Sequence, residues 1–484
     1  MVMASPGNPK VDCVSPSAQE PSGSERLYGR TLRRFSLLLR GATGRALLGT
    51  LVGNLPGFLL PFAITTRMHV GSLTDAYSFA LGVALFSSAL FAGVLQANVL
   101  PILQRMKLLG RIAFLGRTRK ITINATAVTG LFYALIAYAS VLYIDNQSHW
   151  TQQQQQLMLI TTIILAVFVL TSAVNGILSA GLNALNSFLS PAASQALKSI
   201  LPLLAIGFVS RSPEGLIIIA ALLSGGELIR TFALTYELRK SASSLPRIPV
   251  PADYAADLPL WGVAASTGLA SLIVGASPLI DRGVAASLHP GSVTLIDLGE
   301  KVLQVPVTII ATSFVLVAGT HWADIRTDDI PSLRAHFHRT IIRGTVFCVL
   351  LLLAMIIALG VTRVCAGNML AGAPTGELLS IVALLLAGLP AAFLIAAGSR
   401  LLTATRSSYL LPAFGLCAFT TNFIFDIIGA HAFGVEGIAL SSTIYRYVNG
   451  ILFLLVIRRL MRTDFKRIGL SNLIGRGRVN ADTN

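Results

Sequence analysis

A series of long apolar segments constrains this chain more than any other feature. About twelve runs, each of roughly 20 or more mostly apolar residues, follow one another from Ala46 to Leu460, and a helix needs about 20 such residues to cross a bilayer. Only 12% of the 484 residues are charged, which is about half the share found in a soluble domain. The pattern therefore predicts an all-α polytopic membrane protein.

The predicted spans fall into two sets of six. The first set lies near Ala46–Thr65, Ala76–Leu103, Ile121–Ile144, Leu157–Leu182, Pro191–Val209 and Leu216–Leu238. The second set lies near Leu260–Ile280, Val293–Trp322, Ile341–Val361, Leu378–Leu402, Leu410–Ile428 and Ile438–Leu460. The loops are too short to hold a soluble catalytic domain. The longest outer loop, Asp145–Gln156, contains the polar run TQQQQQ and is predicted to be a solvated connector.

The positions of lysine and arginine give the spans an orientation. Of the 37 basic residues, 28 lie on one side of the predicted topology, in the two termini and four loops. Loops rich in Lys and Arg stay in the cytoplasm, so both termini are predicted to be cytoplasmic, which requires an even number of spans. The net charge of +16 is thus explained by membrane topology and does not indicate nucleic-acid binding.

The two halves of the chain repeat each other at a nearly constant offset. Gly71–Thr74 resembles Gly291–Thr294, 220 residues later, and the motifs that begin at Ser187 and Glu214 recur 221 and 222 residues later. Since each half holds six spans, the halves start on the same side of the membrane and form a parallel repeat around an axis along the membrane normal. Two six-helix lobes related by such a pseudo-twofold axis are typical of an alternating-access transporter.

This repeat divides the chain into five predicted segments. They are a disordered cytoplasmic tail (1–25), an N-terminal six-helix lobe (26–240), a cytoplasmic linker (241–259), a C-terminal six-helix lobe (260–462) and a basic cytoplasmic tail (463–484). The first tail is polar and rich in Ser and Pro, a composition that cannot bury enough apolar surface to fold.

Four stretches of the spans carry distinctive sequence. They are GSLTDAYSFALGVALFSSALFAGVLQANVLPIL from Gly71, LNALNSFLSPA from Leu182, PLIDRGVAASLHPGSVTLIDLGEKVLQVP from Pro278, and GVEGIALSSTIYRYVNGILFLLVIRRL from Gly434. Together they resemble the MviN/MurJ family of lipid II flippases, which belongs to the multidrug/oligosaccharidyl-lipid/polysaccharide exporter superfamily. The resemblance implies the two-lobed fold of that superfamily. Lipid II flippases usually have two further C-terminal helices, whereas this chain ends after the twelfth predicted span.

The resemblance also implies a cationic cavity, in which arginines of three spans engage the lipid pyrophosphate. The matching positions in this chain are Asn54, Leu60, Ser88 and Lys301, the last preceded by Glu300. The acidic residue that opens the family's second span is matched by Asp75. Only Lys301 keeps a positive charge. The substrate therefore stays open between lipid II and an undecaprenyl-pyrophosphate-linked exopolysaccharide repeat unit.

Ionisable residues inside spans are functional candidates, because each costs about 2.5–3.5 kcal/mol to insert. Glu300 and Lys301 are adjacent and point about 100° apart on a helix, so Asp297, four residues earlier, is the predicted partner of Lys301. Asp281 and Arg282 end the seventh span, where both function and interfacial anchoring remain open.

In the sixth span, Glu227 and Arg230 are predicted to neutralise each other at i,i+3. Lys198, early in the fifth span, is predicted to extend to the membrane interface. The residues predicted to bind substrate or to couple transport are Lys301, Glu300, Asp75, Asp281, Arg282 and Asn54.

No nucleotide-binding or hydrolase motif is present: the sequence has no P-loop, no Rossmann glycine motif and no GxSxG. The four cysteines form no CxxC, so neither a metal site nor a cofactor is expected.

We expect a bacterial inner-membrane flippase that moves a polyprenyl-pyrophosphate-linked saccharide from the cytoplasmic to the outer leaflet. We do not expect an enzyme. A small-molecule or drug exporter of the same superfamily is the alternative. Membrane lipid and the lipid-linked substrate are expected partners, and glycosyltransferases or a polymerase of the same pathway are candidate partners.

Overall fold

The computed structural model describes residues 42–147, 150–248, 268, 272–273, 275–311, 315, 318–319, 322, 330–365, 375–405 and 410–461. Within these ranges the regular structure is entirely helical. Seven of the described helices are long and apolar enough to cross a membrane. The predicted all-α polytopic fold is thus confirmed. The predicted tails lie outside the described residues, as do most of the linker and most of the seventh span, Leu260–Ile280.

The N-terminal lobe comprises the helices before the linker. They are α1 (Ala42–Met68), α2 (Ser72–Leu108), α3 (Arg111–Asp145), α4 (Gln152–Ala184), α5 (Leu189–Ala193), α6 (Leu197–Ala205) and α7 (Pro213–Ala242), with a 3-10 turn, Ser194–Ala196, between α5 and α6. Small residues let these helices approach closely, as in other membrane bundles. A Cβ on Gly176 of α4 would lie 2.7 Å from the carbonyl oxygen of Ala92 of α2.

The C-terminal lobe comprises the helices after the linker. They are α8 (Ser277–Ala285), α9 (Ser292–Ile310), α10 (Ile330–Cys365), α11 (Thr375–Ala387), α12 (Leu389–Ala404) and α13 (Leu411–Leu460). α11 and α12 share the predicted tenth span and are separated at Gly388, where Pro390 begins α12.

The 50 residues of α13 contain two antiparallel spans. Gly434 has φ 62° and ψ −137° and interrupts the helix, a backbone conformation that only glycine adopts readily. Across this interruption, Ser441 Oγ in the second part of the helix donates to the carbonyl of Phe425 in the first part at 2.6 Å. A Cβ on Gly437 would overlap the backbone of Gly429. The eleventh and twelfth predicted spans therefore pack against each other through glycines.

One prediction about local structure is wrong. The TQQQQQ run is not a connector, because α4 begins at Gln152. Thr151 and Gln154 form a reciprocal capping box, with the Thr151 N–H donating to Gln154 Oε1 at 2.6 Å. In the predicted fifth span, α5, the 3-10 turn at Ser194–Ala196 and α6 follow one another directly.

Candidate functional site

A cavity of about 890 Å³ lies between the N-terminal lobe and α9 of the C-terminal lobe. Its walls come from α1, α2, α4, α5, the 3-10 turn, α6, α7 and α9. The volume falls within the range of ligand-binding pockets, about 300–1,000 Å³. The lining mixes aliphatic side chains with amides, hydroxyls and a few charged groups. A polar headgroup can therefore be held between the two lobes.

The positions that the family resemblance singled out as cationic converge on this cavity. Asn54 and Leu60 of α1, Ser88 of α2 and Lys301 of α9 all line it. These positions are scattered over nearly 250 residues of sequence, so their convergence comes from the tertiary fold. Of the six predicted site residues, Asn54 and Lys301 lie in the cavity wall. The other four take part in polar clusters beside it.

The cavity wall holds two further basic side chains, Lys198 and Arg230. Lys198 is the second residue of α6, and its Nζ donates to Gln195 Oε1 at 3.3 Å. The structure thus places Lys198 in the cavity wall, and its predicted extension to the membrane interface is wrong. Sequence reasoning missed this residue because position along a span does not show which side of a helix faces a cavity.

Arg230 belongs to a buried network within the N-terminal lobe. Its Nη1 lies 2.8 Å from Glu227 Oε1, which confirms the predicted i,i+3 pair. The same carboxylate oxygen accepts hydrogen bonds from Ser172 at 3.0 Å and from Asn175 at 2.8 Å. Arg230 Nε also donates to Ser194 at 3.2 Å. These contacts hold the guanidinium at the cavity edge and offset its charge.

Arg282 connects two acidic side chains of α9. Its Nη2 lies 2.6 Å from Asp297 Oδ1 and 2.8 Å from Glu300 Oε2. The predicted pairing of Asp297 with Lys301 is therefore wrong, since both acids of this helix face Arg282. The cause is tertiary: α8 turns back onto α9 and brings its arginine closer than a helical neighbour. Arg282 is only 6% exposed, which excludes anchoring at the water interface.

A second buried cluster surrounds Asp281, the residue before Arg282. Its two oxygens accept hydrogen bonds from Asn422 Nδ2 at 2.6 Å and from Ser442 Oγ at 2.7 Å. Asn422 also donates to Asp426 at 2.9 Å. Arg446, one turn after Ser442, makes no ion pair with these acids among the residues described. Two buried carboxylates therefore share one amide donor.

The remaining oxygens of this cluster show what it can hold. Asp426 Oδ1 and Asn422 Oδ1 are buried, and neither has a hydrogen-bond partner in the described structure. A buried charge that lacks compensation is costly, so a proton or a monovalent cation fits these oxygens. Within the described ranges, no group of three or more His, Cys, Asp and Glu side chains is arranged to hold a metal ion.

Asp75 joins the two lobes at the ends of α2 and α9. Its carboxylate accepts hydrogen bonds from the backbone N–H of Gly291 at 2.5 Å and of Thr294 at 2.9 Å, and from the Thr294 hydroxyl at 2.7 Å. The first N–H groups of a helix have no partner within it, and the helix dipole favours an anion there. Asp75 therefore caps a helix of the opposite lobe.

Other contacts join the lobes at this same end. Tyr143 Oη donates to the carbonyl of Gly283 at 2.8 Å, and Trp150 Nε1 donates to that of Ala286 at 3.0 Å. A Cβ on Gly82 of α2 would lie 2.6 Å from Cδ of Arg282, so the arginine side chain lies flat against this glycine. The lobes are thus held together at the end that the topology predicts to be outside.

Known proteins give three comparisons. The sequence profile of the lipid II flippase MurJ family matches residues 64–474. Among solved structures, a lipid II flippase MurJ in an inward closed conformation superposes with a TM-score of 0.68 and 16% identity, covering 85% of this chain and 87% of that one. No curated protein sequence matches this chain.

Transporters of the MOP superfamily share the fold. A multidrug resistance MATE family transporter of the MOP superfamily, in its outward-facing conformation, gives a TM-score of 0.62 and 15% identity over 89% of this chain and 98% of that one. A MOP superfamily transporter from Pyrococcus furiosus gives 0.61 and 14% over 88% and 97%. These likenesses show the fold alone, whereas the profile covers most of the sequence. The chain belongs to the lipid II flippase MurJ family.

Proposed function

We propose that this protein is an alternating-access flippase of the bacterial inner membrane. It moves a polyprenyl-pyrophosphate-linked saccharide from the cytoplasmic to the outer leaflet. The observation that carries the proposal is the cavity between the lobes, in which Lys301 faces the space without a hydrogen bond or ion pair among the described residues. A lipid-linked saccharide needs such a shielded polar space for its headgroup, while its polyprenyl chain stays in the bilayer.

The cavity chemistry suits the parts of that headgroup. A pyrophosphate is a dense anion, and its desolvation must be offset by cations or several donors. Lys301 supplies a cation, and amide side chains along the wall supply neutral donors and acceptors for sugar hydroxyls. Those amides are Asn54, Gln96, Asn183, Gln195 and Gln304. The same basic groups oppose the binding of cationic drugs, so a drug exporter fits this cavity less well.

The contacts between the lobes support entry from the cytoplasm. If the basic loops lie in the cytoplasm, as the positive-inside rule predicts, the closed junction around Asp75 lies on the outer side, which supports assigning this arrangement to an inward-facing state. Release to the outer leaflet requires the bonds from Gly291 and Thr294 to Asp75 to break. Rocking of the two lobes about the cavity would close the cytoplasmic side and open the outer side.

The cluster around Asp281 supports a coupling role for the C-terminal lobe. The sequence has no nucleotide-binding motif, so an ion gradient is a suitable drive. A proton or a monovalent cation that binds at Asp281 and Asp426 acts between α8 and α13. Its binding thereby changes the packing of the lobe that carries Arg282 and α9.

The saccharide stays open between lipid II and an exopolysaccharide repeat unit. Family membership favours lipid II, whereas uncharged residues at three of the four cationic positions leave an exopolysaccharide repeat unit at least as suitable. Glycosyltransferases or a polymerase of the same pathway would then supply or consume the substrate. Reconstituted transport of each lipid-linked saccharide in proteoliposomes distinguishes the two substrates.

Lys301 variants test the proposed function directly. We expect Lys301→Ala to abolish transport, Lys301→Arg to keep part of it because the charge remains, and Lys301→Glu to be at least as harmful as Ala. Complementation of a flippase-deficient strain measures the effect, with membrane levels checked by immunoblot. Arg105→Ala, an exposed change outside the cavity, is the control. Full activity of Lys301→Ala at normal abundance would show that this residue has no role in transport.

A further inference from the structure

We propose that Lys198 of the N-terminal lobe and Lys301 of the C-terminal lobe hold one pyrophosphate between them, as a clamp that spans both lobes. The proposal rests on the proposed function and adds a binding residue, Lys198, on a helix where the family resemblance places no cation. It also states how the headgroup contacts the two lobes at once. Both side chains line the same cavity.

Neither lysine is neutralised within the described structure. The contact of Lys198 is the uncharged side chain of Gln195, at 3.3 Å. The acids that lie close to the two lysines already have other partners. Glu227 is bound by Arg230, and Asp297 and Glu300 are bound by Arg282. The cavity wall therefore holds two lysine side chains that form no ion pair among the described residues, while the nearby carboxylates are bound by arginines.

The two lysine side chains lie in the wall of one cavity, and Arg230 lines the same space. Like charges that converge in a partly desolvated space repel each other, at a cost that grows as the effective dielectric falls. A ligand with two adjacent negative groups removes that repulsion and satisfies both donors. A pyrophosphate has this arrangement, whereas a single carboxylate does not.

The backbone around Lys198 is packed in a way that fixes where its side chain begins. Gly226 of α7 lies directly against it, and a Cβ there would be 2.7 Å from the Lys198 carbonyl oxygen and 2.9 Å from its Cα. On the other side, a Cβ on Gly57 of α1 would lie 3.3 Å from Ser199 Oγ. Two glycines thus let α1 and α7 hold α6 closely, so the start of the Lys198 side chain is set before substrate arrives.

A clamp between lobes gives substrate binding a mechanical consequence. Because Lys198 and Lys301 are on different lobes, one pyrophosphate contacts both only while the lobes are close around the cavity. Rocking that separates α6 from α9 pulls the two cations apart and weakens the grip. A ligand shifts a conformational equilibrium by its differential affinity for the two states. The substrate would therefore favour the arrangement seen here, in which the lobes are close around the cavity. The substrate would be released when the lobes leave that arrangement.

Binding to the purified full-length protein in lipid nanodiscs tests the clamp. The probes are undecaprenyl pyrophosphate and undecaprenyl monophosphate. We expect the wild type to prefer the pyrophosphate. Lys198→Gln should lower the affinity for the pyrophosphate about tenfold or more, as expected when a charged hydrogen bond is lost. Lys198→Arg should stay within about threefold, and the exposed control Arg105→Gln should match the wild type.

A second measurement needs no variant. Amine-reactive labelling of the wild type, followed by mass spectrometry, should show that undecaprenyl pyrophosphate protects both Lys198 and Lys301. The uncharged carrier undecaprenol should protect neither. Exposed Lys240 is the internal control and should react equally in both samples.

The outcomes separate this inference from the function on which it rests. Loss of pyrophosphate affinity in Lys198→Gln, or joint protection of the two lysines, supports the clamp. The clamp is overturned if a folded Lys198→Gln protein binds the pyrophosphate like the wild type and if Lys198 of the wild type still reacts with the amine reagent when the pyrophosphate is present. In that case, transport by the wild type would still support the flippase function. If the wild type neither binds the pyrophosphate nor transports a lipid-linked saccharide, both proposals fail.

Discussion

The two lobes repeat one architecture but carry opposite electrostatics. In the N-terminal lobe, Lys198 and Arg230 face an accessible cavity and outnumber the single acid of their network, Glu227. In the C-terminal lobe, acids outnumber bases in a sealed region where Asp281 and Asp426 are at most 2% exposed. We propose that Lys198 of the N-terminal lobe binds the anionic substrate together with Lys301, whereas the sealed acidic cluster of the C-terminal lobe binds a cation. This division of labour suits a transporter that moves an anionic headgroup with an ion.

The two lobes also differ at the N-terminal ends of α2 and α9, which the sequence repeat relates to each other. α2 is capped from within, because Thr74 Oγ1 accepts from the Gly71 N–H at 2.9 Å. α9 is capped from the other lobe, by Asp75. The repeat partner of Asp75 is Leu295, 220 residues later, which cannot return the contact. One substitution between the repeats therefore turns a local cap into an outer junction between lobes.

The largest expected effect concerns the acidic cluster of the C-terminal lobe. Asp281→Asn removes a buried charge but leaves the cavity wall intact, so the substrate should still bind while ion-driven transport falls about 100-fold or more. Transport into proteoliposomes under imposed proton or sodium gradients measures this effect. Asp145→Asn, an exposed acid at the end of α3, is the control. Ion-dependent transport at the wild-type rate in Asp281→Asn would break the proposed division between the lobes.

An intermediate effect is expected at the outer junction. Asp75→Ala removes three hydrogen bonds and the cap of α9, which costs about 1–2 kcal/mol for the cap alone. The inward-facing state should lose that stability, and the outer end should open more often.

A cysteine at Ser78, in the cavity wall near this junction, reports the opening. In a protein without other cysteines, an impermeant thiol reagent added outside should label Ser78→Cys several-fold faster when Asp75→Ala is present. Glu214→Ala is the matched control, because Glu214 is also in the first turn of a helix but is exposed. Equal labelling rates in the Asp75 and Glu214 variants would contradict the role of the junction.

Sequence reasoning succeeded where a signal is local. The apolar runs and the Glu227–Arg230 pair depend on spacing along the chain; the described part of the structure has seven candidate spans and contains the pair. The capping box at Thr151 was also readable, because its Thr-x-x-Gln spacing precedes an apolar run. The low complexity of the glutamine run hid that spacing.

Tertiary placement could not be predicted in the same way. The partner of Asp297 is Arg282, which lies across a turn between two helices, whereas spacing favoured Lys301. Lys198 lines the cavity because of how α6 packs between α1 and α7, which spacing along the chain does not reveal. Sequence predicted Lys301 through the family resemblance, and no comparable pattern marks Lys198. The division into segments at 25, 240, 259 and 462 remains a prediction.

The smallest expected effect compares two glycines of one helix. A Cβ on Gly82 would lie 2.6 Å from Arg282 Cδ, and the two acids that bind its guanidinium restrict how far that side chain can move. Gly82→Ala should therefore destabilise the contact between the lobes by about 1 kcal/mol, the low end of the cost of overpacking. Gly93→Ala should be neutral or slightly stabilising, because a Cβ there meets no atom within 4 Å and alanine favours helix. Thermal unfolding of both variants in the same detergent measures the difference. If Gly82→Ala is as stable as Gly93→Ala, the Arg282 side chain can move away from α2 freely. The C-terminal lobe is then not packed against the N-terminal lobe through this arginine.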